Sequence, residues 1–559
     1  MIPSLLILAL ASCTGGAYLD QRQSTSSSWV LQTTPELFAG PTGTGLAPFL
    51  VETNLAPLGA TTRSFITNTP LETAVPISGD AGNQNVFQLM GSLSPYFPNP
   101  NGFGILEYPL PQGSNVSQLH MLHRHGSRYP TSNSNVEALG KRIAEAKASG
   151  SFNVSGALSF LNTWSYQLGA EVLVPHGRQE LFDSGVLHYY QYGQLYNTST
   201  QILARTTTQN RMRESAENFM AGFFGLDWTN NATLELITER RGFNNSLAGY
   251  DNCDNSNTDV SGGGSVASKA WREVYLGTAT SRFQRLVSGY DWTLEDTYAA
   301  QTLCPFETVA FGYSVFCDLF TLEEWQGFEY ATDLQFNGNN AFQSPTGRAV
   351  GIAYVQEVLG RLQNQLPNIT NTQANATLDG DTATFPLNQS LYFDFSHDTN
   401  IMSILTSFSL TQFRQFLPPD GPPASRNLTV SHLTPFAARL DIEVIKTPRP
   451  VPADRSCDYI EGPPTTYILF KLNQRTLPLS VSLPECEIRA DGWCELGDFL
   501  EAQADAVRLA DYDYACNGDY PASPYGDVTD GVQERLGAEG PHDVDSVTQG
   551  WKQERLSDG

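Results

Sequence analysis

Residues 118 to 124, QLHMLHR, alternate around Leu119, Met121 and His123 and run directly into Arg124-His125-Gly126-Ser127-Arg128-Tyr129-Pro130. Alternation that ends at a glycine reads as a strand entering a turn, which places one histidine between two arginines at a strand end. Two guanidiniums can hold phosphate oxygens in forked hydrogen bonds, and they stay charged at every relevant pH. The imidazole between them is then placed to attack phosphorus. Gly126 allows the backbone a conformation that other residues resist, and Pro130 stiffens the exit from the turn. The plainer alternatives are weaker. Surface ion-pair arginines around a core histidine would not need this spacing. A metal site built on His120, His123 and His125 fails because strand alternation turns His120 to the opposite face.

The chain around this motif has 559 residues, enough for two to four domains at about 100 to 200 residues each. Hydrophobic residues make up 40% and aromatics 11%, a globular composition. Acids outnumber bases 58 to 32, for a formal charge of -26. No Lys/Arg-rich run relieves that charge, so nucleic acid and anionic membrane are excluded as partners. A pI near 4.6 means that repulsion toward an anionic substrate fades in acid.

Residues 2 to 12 form an apolar run followed by small residues. It is too short for a membrane span and reads as a secretory leader over residues 1–17, with a lipid-anchored Cys13 as the alternative. Asn-x-Ser/Thr sequons at Asn115, Asn153, Asn197, Asn231, Asn244, Asn368, Asn375, Asn388 and Asn427 are then candidate sites for N-linked glycans. Among eight cysteines, short spacings pair Cys304 with Cys317 and Cys486 with Cys494. Cys253 and Cys516 would close a long loop, leaving Cys457 over. No CxxC pair points to zinc.

Residues 18–85 are rich in Ser, Thr, Gly and Pro and read as an irregular arm, and residues 522–559 as a disordered acidic tail. Helical spacing recurs over 136–147, 177–192 and 211–224, which suggests a mainly helical insertion. Residues 391–396, LYFDFS, form a second strand ending at His397-Asp398, and Ile401 to Leu405 begin a helix. Further strands fit 438–446 and 466–474.

The RHGSRYP motif and its surroundings, from Leu89-Met90-Gly91 and Ser94-Pro95-Tyr96-Phe97 to Cys516, resemble the histidine acid phosphatase family, in particular its fungal secreted phytase and acid phosphatase branch. The resemblance implies an α/β, phosphoglycerate-mutase-like sandwich: core residues 86–135 and 300–521, with a mainly helical domain inserted at 136–299. It implies that His125 is the nucleophile and that Arg124 and Arg128 bind phosphate. Leu173-Val174-Pro175-His176-Gly177 is similar to the family's helix entry. The segment Arg205-Thr206-Thr207 through Arg211 is similar to the one that supplies a third phosphate-binding arginine, assigned by position to Arg205. Phe395-Ser396-His397-Asp398 resembles the element in which histidine contacts phosphate and aspartate protonates the leaving oxygen. His542-Asp543 repeats the dipeptide without a strand before it and is the expected decoy. Cysteine usage departs from many fungal members: neither Gly113–Leu119 nor the stretch to Thr447 has one, consistent with one absent bridge.

The implied activity is secreted, acid phosphomonoester hydrolysis on phytate or a broad range of esters. It needs no cofactor and no metal, since the arginines supply the positive charge. Thr399 stands where many dedicated phytases carry Asn, which tilts toward the broader range. A mutase of the same fold and a catalytically inactive secreted scaffold are the rivals.

Overall fold

The computed structural model describes residues 85–535 apart from 368 and 370. In chain order its strands are β1 (Asn115–Arg124), β2 (Asn153–Val154), β3 (Ile202–Thr207), β4 (Ala232–Ile237), β5 (Val287–Ser288), β6 (Leu391–Ser396), β7 (Arg439–Thr447), β8 (Thr465–Leu472), β9 (Arg475–Leu477) and β10 (Cys494–Glu495). The longer helices are α1 (Asn135–Ala148), α2 (Pro175–Tyr192), α3 (Asn210–Phe224), α4 (Gly263–Tyr275), α5 (Gly277–Gln284), α6 (Leu294–Phe311), α7 (Leu322–Asn340), α8 (Gly347–Gln363) and α9 (Asp398–Ser407).

Eight strands form one sheet in the order β10-β8-β7-β1-β6-β3-β4, with β9 beside β8. β1, β6, β3 and β4 run parallel, whereas β7 joins β1, and β8 joins β7, antiparallel. β1 therefore sits where the sheet changes character, the position at which open α/β sheets leave a crevice at their carboxyl ends. Its alternation serves two faces. Leu119 and Met121 pack with Leu181 of α2, Phe219 of α3, and Phe393 and Phe395 of β6. Leu122 packs on the other side with Ile401 and Ile404 of α9, Leu440 and Ile442 of β7, and Phe470 of β8. A third apolar cluster lies within the helical part, where Leu139 and Ile143 of α1 meet Phe283, Trp292, Leu303, Trp325 and Phe328. Thr293 with Asp296 and Thr321 with Glu324 close capping boxes on α6 and α7, which fixes where those helices start.

The expected insertion at 136–299 is corrected by this topology. β3 and β4 fall inside it yet belong to the main sheet, and α2 and α3 cover that sheet's face. The helical part is instead built around α1, α5, α6 and the first half of α7. Amphipathic periodicity says that a helix has a buried face, not what lies against it. The strand ILARTT was hidden by its polar composition, although all of it but Leu203 is buried. Residues 522–535, expected as tail, are instead tied to the body, and residues 536–559 lie outside the described residues. Arg348 Nη2 lies 2.8 Å from Asp530 Oδ1, and Gly531 N–H donates to Phe342 O at 2.7 Å. The leader, nearly all of the arm, Asn368 and His542-Asp543 lie outside the described residues.

The turn after β1 is pressed onto the start of α2. A Cβ on Gly126 would stand 2.2 Å from Gly177 O, and one on Gly177 would stand 1.9 Å from Ser127 O. Both contacts are with backbone, so neither residue tolerates a methyl group without moving the turn. Gly177→Ala is expected to cost about 1–3 kcal/mol in urea unfolding and to lower turnover, because the strain falls on the turn that carries His125.

Candidate active site

Strand register assembles the site. Arg124 pairs with Ser396 across the parallel β1–β6 ladder, Arg205 pairs with Asp394 across β6–β3, and Thr207 with Ile237 across β3–β4. The residues that follow these strand ends, His125, His397 and Glu239, therefore emerge along one edge. The His125 and His397 rings meet edge to face with centroids 5.7 Å apart.

Arg124 is fully buried. Its Nη1 donates to Ser92 O at 2.5 Å and Thr434 O at 2.7 Å, its Nη2 lies 2.6 Å from Asp398 Oδ2, and its guanidinium rests 4.5 Å from the Phe436 ring centre. Arg128 is half-buried and donates to Tyr129 O at 2.9 Å. Burial, and then the charge of Arg211, hold its pKa down to about 10, so it remains a cation in acid and at neutrality. Arg211 opens α3, pairs with Glu171 at 2.8 Å and acts on Arg124, His125 and Arg128 alike.

His125 is buried, and its Nδ1 lies 2.9 Å from Gly126 O. A carbonyl can only accept, so Nδ1 carries the proton and Nε2 presents its lone pair. Burial, followed by the charges of Arg124, Arg211, Arg128 and His397, pushes the imidazole well below the usual histidine range. Both effects favour the neutral, nucleophilic form of the ring. Ser127 N–H and Tyr96 N–H both donate to the buried Glu180 carboxylate, at 2.7 and 3.0 Å, which anchors the turn to α2. Burial would raise the Asp398 carboxyl, but Arg124 and Arg128, the Thr399 N–H and His397 outweigh it and hold it below the usual carboxylate range.

Of the expected site residues, Arg124, His125, Arg128, His397 and Asp398 come together. Arg205 does not. It lies within β3, two residues short of the strand end, with Nε 2.7 Å from Asp394 Oδ1 and Nη2 2.5 Å from Glu357 Oε2. Asp394 also holds Arg361 at 2.7 Å. The Arg205 guanidinium is consumed by these buried carboxylates. Arg211, beyond the strand end, occupies the place expected of Arg205, and the rule that parallel sheets bind ligands past their carboxyl ends would have favoured it. Glu239, 3.0 Å from His397, was also missed, and no motif marks it. His120 faces away from the site, stacked on Tyr392. Among the described residues, three disulfides pair Cys253 with Cys516, Cys304 with Cys317 and Cys486 with Cys494, and Cys457 is a free, exposed thiol. A cavity of about 1200 Å³ between Phe103, Trp271 and Arg426 shares no residue with this cluster.

A strand-end histidine set among buried arginines, with a carboxyl group beside it, defines a pocket for phosphoryl chemistry. Residues 115–461 match the profile of the Histidine phosphatase superfamily (branch 2). The chain is 30% identical over 442 residues to a protein of Emericella nidulans named Phytase A, which covers 76% of this chain and 90% of that one. It is 29% identical over 449 residues to an acid phosphatase of Schizosaccharomyces pombe, covering 77% and 90%. The crystal structure of the phytase from D. castellii superposes with a TM-score of 0.61 at 22% identity, over 79% of this chain and 89% of that one. The chain belongs to the histidine phosphatase superfamily, branch 2, and is a phosphomonoesterase of the phosphatase and phytase class.

Removing one partner of a buried ion pair costs about 3–5 kcal/mol. Arg205→Gln is therefore expected to lower the unfolding free energy by that order. Arg211→Gln, whose ion-pair partner Glu171 is half-exposed, is expected to lower the urea midpoint less than Arg205→Gln while raising the Ki for inorganic phosphate.

Proposed function

We propose that the chain hydrolyses phosphomonoesters in acid through a phosphohistidine on His125, with phytate among its substrates. The observation that carries this reading is the Nδ1–H hydrogen bond of His125 to Gly126 O, which leaves Nε2 unprotonated within reach of three guanidiniums. Nε2 attacks phosphorus while Arg124, Arg128, Arg211 and His397 take up the charge on the equatorial oxygens. As the ester P–O bond breaks, Asp398 gives its proton to the departing alcohol. Water then attacks the phosphohistidine, its proton passes to the Asp398 carboxylate, the N–P bond breaks and phosphate leaves.

Relatives named Phytase A support phytate as a substrate, and the acid phosphatase relative at the same identity supports a broader range. Thr399, next to the proton donor, favours the broader range. An extracellular location is supported by three disulfides, which persist in oxidising compartments. Among the described residues no helix is long and apolar enough to cross a membrane. Sequon residues Asn115, Asn153, Asn197, Asn388 and Asn427 are exposed, which suits N-linked glycans.

The reading is tested by phosphate release from phytate and p-nitrophenyl phosphate in parallel across acid and neutral pH. His125→Ala should abolish both activities, and retained turnover would sink the assignment. Asp398→Asn should lose about 10²–10⁴ in kcat on alkyl phosphates and much less on the aryl ester, whose leaving group needs no proton. In the free enzyme the arginines hold Asp398 ionised. A bound phosphate cancels part of their charge and raises its proton affinity. The descending limb of kcat, which reports the complex, should accordingly lie at higher pH than that of kcat/KM.

A further inference from the structure

His397 closes the site from the β6 side, and its Nε2 lies 3.0 Å from Glu239 Oε2. The two side chains are only 5% and 2% exposed. Glu239 stands two residues past β4 and is held from three other directions. Thr207 Oγ1 donates to Oε2, Gln209 Nε2 donates to Oε1, and Tyr250 O–H donates to Oε1 at 2.8 Å. A carboxylate that receives this many hydrogen bonds is both oriented and ionised. Burial would raise its pKa, but the charge of His397 and the bonds from His397, Thr207 and Tyr250 hold it down at about 2. Its field also reaches Asp251, which burial and then Glu239 push up to about 6.

Glu239 is the carboxylate bonded directly to His397, while Asp398 and Asp251 act on it without a hydrogen bond and the arginines of the site oppose its charge. From the turn after β1 comes the His125 ring, behind which Arg124, Arg128 and Arg211 all act. From its own helix comes Asp398, already committed to Arg124 at 2.6 Å. From the segment after β4 come the Tyr250 ring, at 5.8 Å, and Asp251, which is half-exposed. A ring that faces several guanidiniums needs an anionic neighbour if it is to present positive charge to a phosphate oxygen.

We propose that Glu239 is the positioning residue for phosphate binding by His397: it accepts the Nε2–H hydrogen bond, leaves Nδ1–H for the phosphate oxygen, and supplies the counter-charge that lets the ring act as a cation. Glu239 itself touches no reacting atom. The inference rests on the phosphate-binding part given to His397 above. It adds that this part is sustained by a carboxylate from a different strand.

Glu239→Gln separates charge from shape, since the amide oxygen can still accept from Nε2–H. The readout is the Ki of inorganic phosphate, competitive with p-nitrophenyl phosphate, from about pH 4 to about pH 6.5, a range in which histidine titrates. At the acid end the variant and the wild type should bind phosphate nearly alike. Toward the upper end the variant's Ki should rise early, reaching about tenfold above wild type, one pH unit of displacement. A variant curve displaced from wild type by one constant factor at every pH would overturn the proposal and reduce Glu239 to packing.

Should Glu239→Gln fail to fold, Tyr250→Phe decides. It removes one hydrogen bond from the carboxylate, keeps its charge and keeps the ring against His397. The carboxylate becomes a stronger acceptor, so the rise in Ki should move to higher pH, and a rise that stays in place or moves lower overturns the proposal. Failure of the underlying reading looks different. In that case His125→Ala would retain turnover, whereas an inactive His125→Ala beside a parallel Glu239→Gln curve defeats only the role of Glu239.

Discussion

The site exists because β1 and β6 are parallel neighbours in one register, with Arg124 opposite Ser396. That pairing delivers two histidines to the same edge although 272 residues separate Leu119 from its ladder partner Leu391. Everything chemical follows from the alignment: the edge-to-face contact of His125 with His397, the ion pair between Arg124 and Asp398, and the approach of Glu239 from the next strand but one. A slip of one residue in this ladder would turn every side chain of one strand to the opposite face. Leu119, Met121 and His123 against one helical layer, and Leu122 against the other, hold the register on both sides.

Cations around the pocket are tolerated because each is answered in a different way. Arg124 spends its donors on two carbonyls and a carboxylate, Arg128 on a carbonyl, and Arg211 on a half-exposed glutamate. After burial, their summed field is what holds the His125 pKa down, so that the same charges which attract an anion also help prepare the nucleophile. Deeper in the sheet, Arg205 and Arg361 share Asp394. There the cations are fully matched by acids and serve the framework. The contrast between Arg205 and Arg211, six residues apart in the chain, is one of depth relative to the strand end rather than of residue type.

The parts of this arrangement that could be read from the chain are those encoded locally. The alternation into RHGSRYP, the strand before His397-Asp398 and the short cysteine spacings are all contiguous signals, and the structure places them as expected. What escaped depends on distant partners. β3 reads as polar because Arg205, Thr206 and Thr207 are polar, and the burial of Arg205 rests on distant acids, Glu357 of α8 and Asp394 of β6. Glu239 has no local signature, since its importance comes from Thr207, Gln209, Tyr250 and His397 meeting around it. Residues 522–535 look like a tail by composition, yet a few contacts to Phe342 and Arg348 are enough to fix them.

The bridge between Cys253 and Cys516 joins positions 263 residues apart. Cys253 closes the short helical turn that carries Tyr250 and Asp251 beside the pocket, and Cys516 lies in the last helix of the body. On a growing chain the first of these thiols must wait for the following 263 residues before it can be oxidised to this bridge. A polypeptide released before Cys516 would contain every residue of the reacting cluster and still have one wall of its pocket unfastened. The covalent link thus acts as a completion check, tying the firmness of the active-site rim to the presence of the far end of the chain.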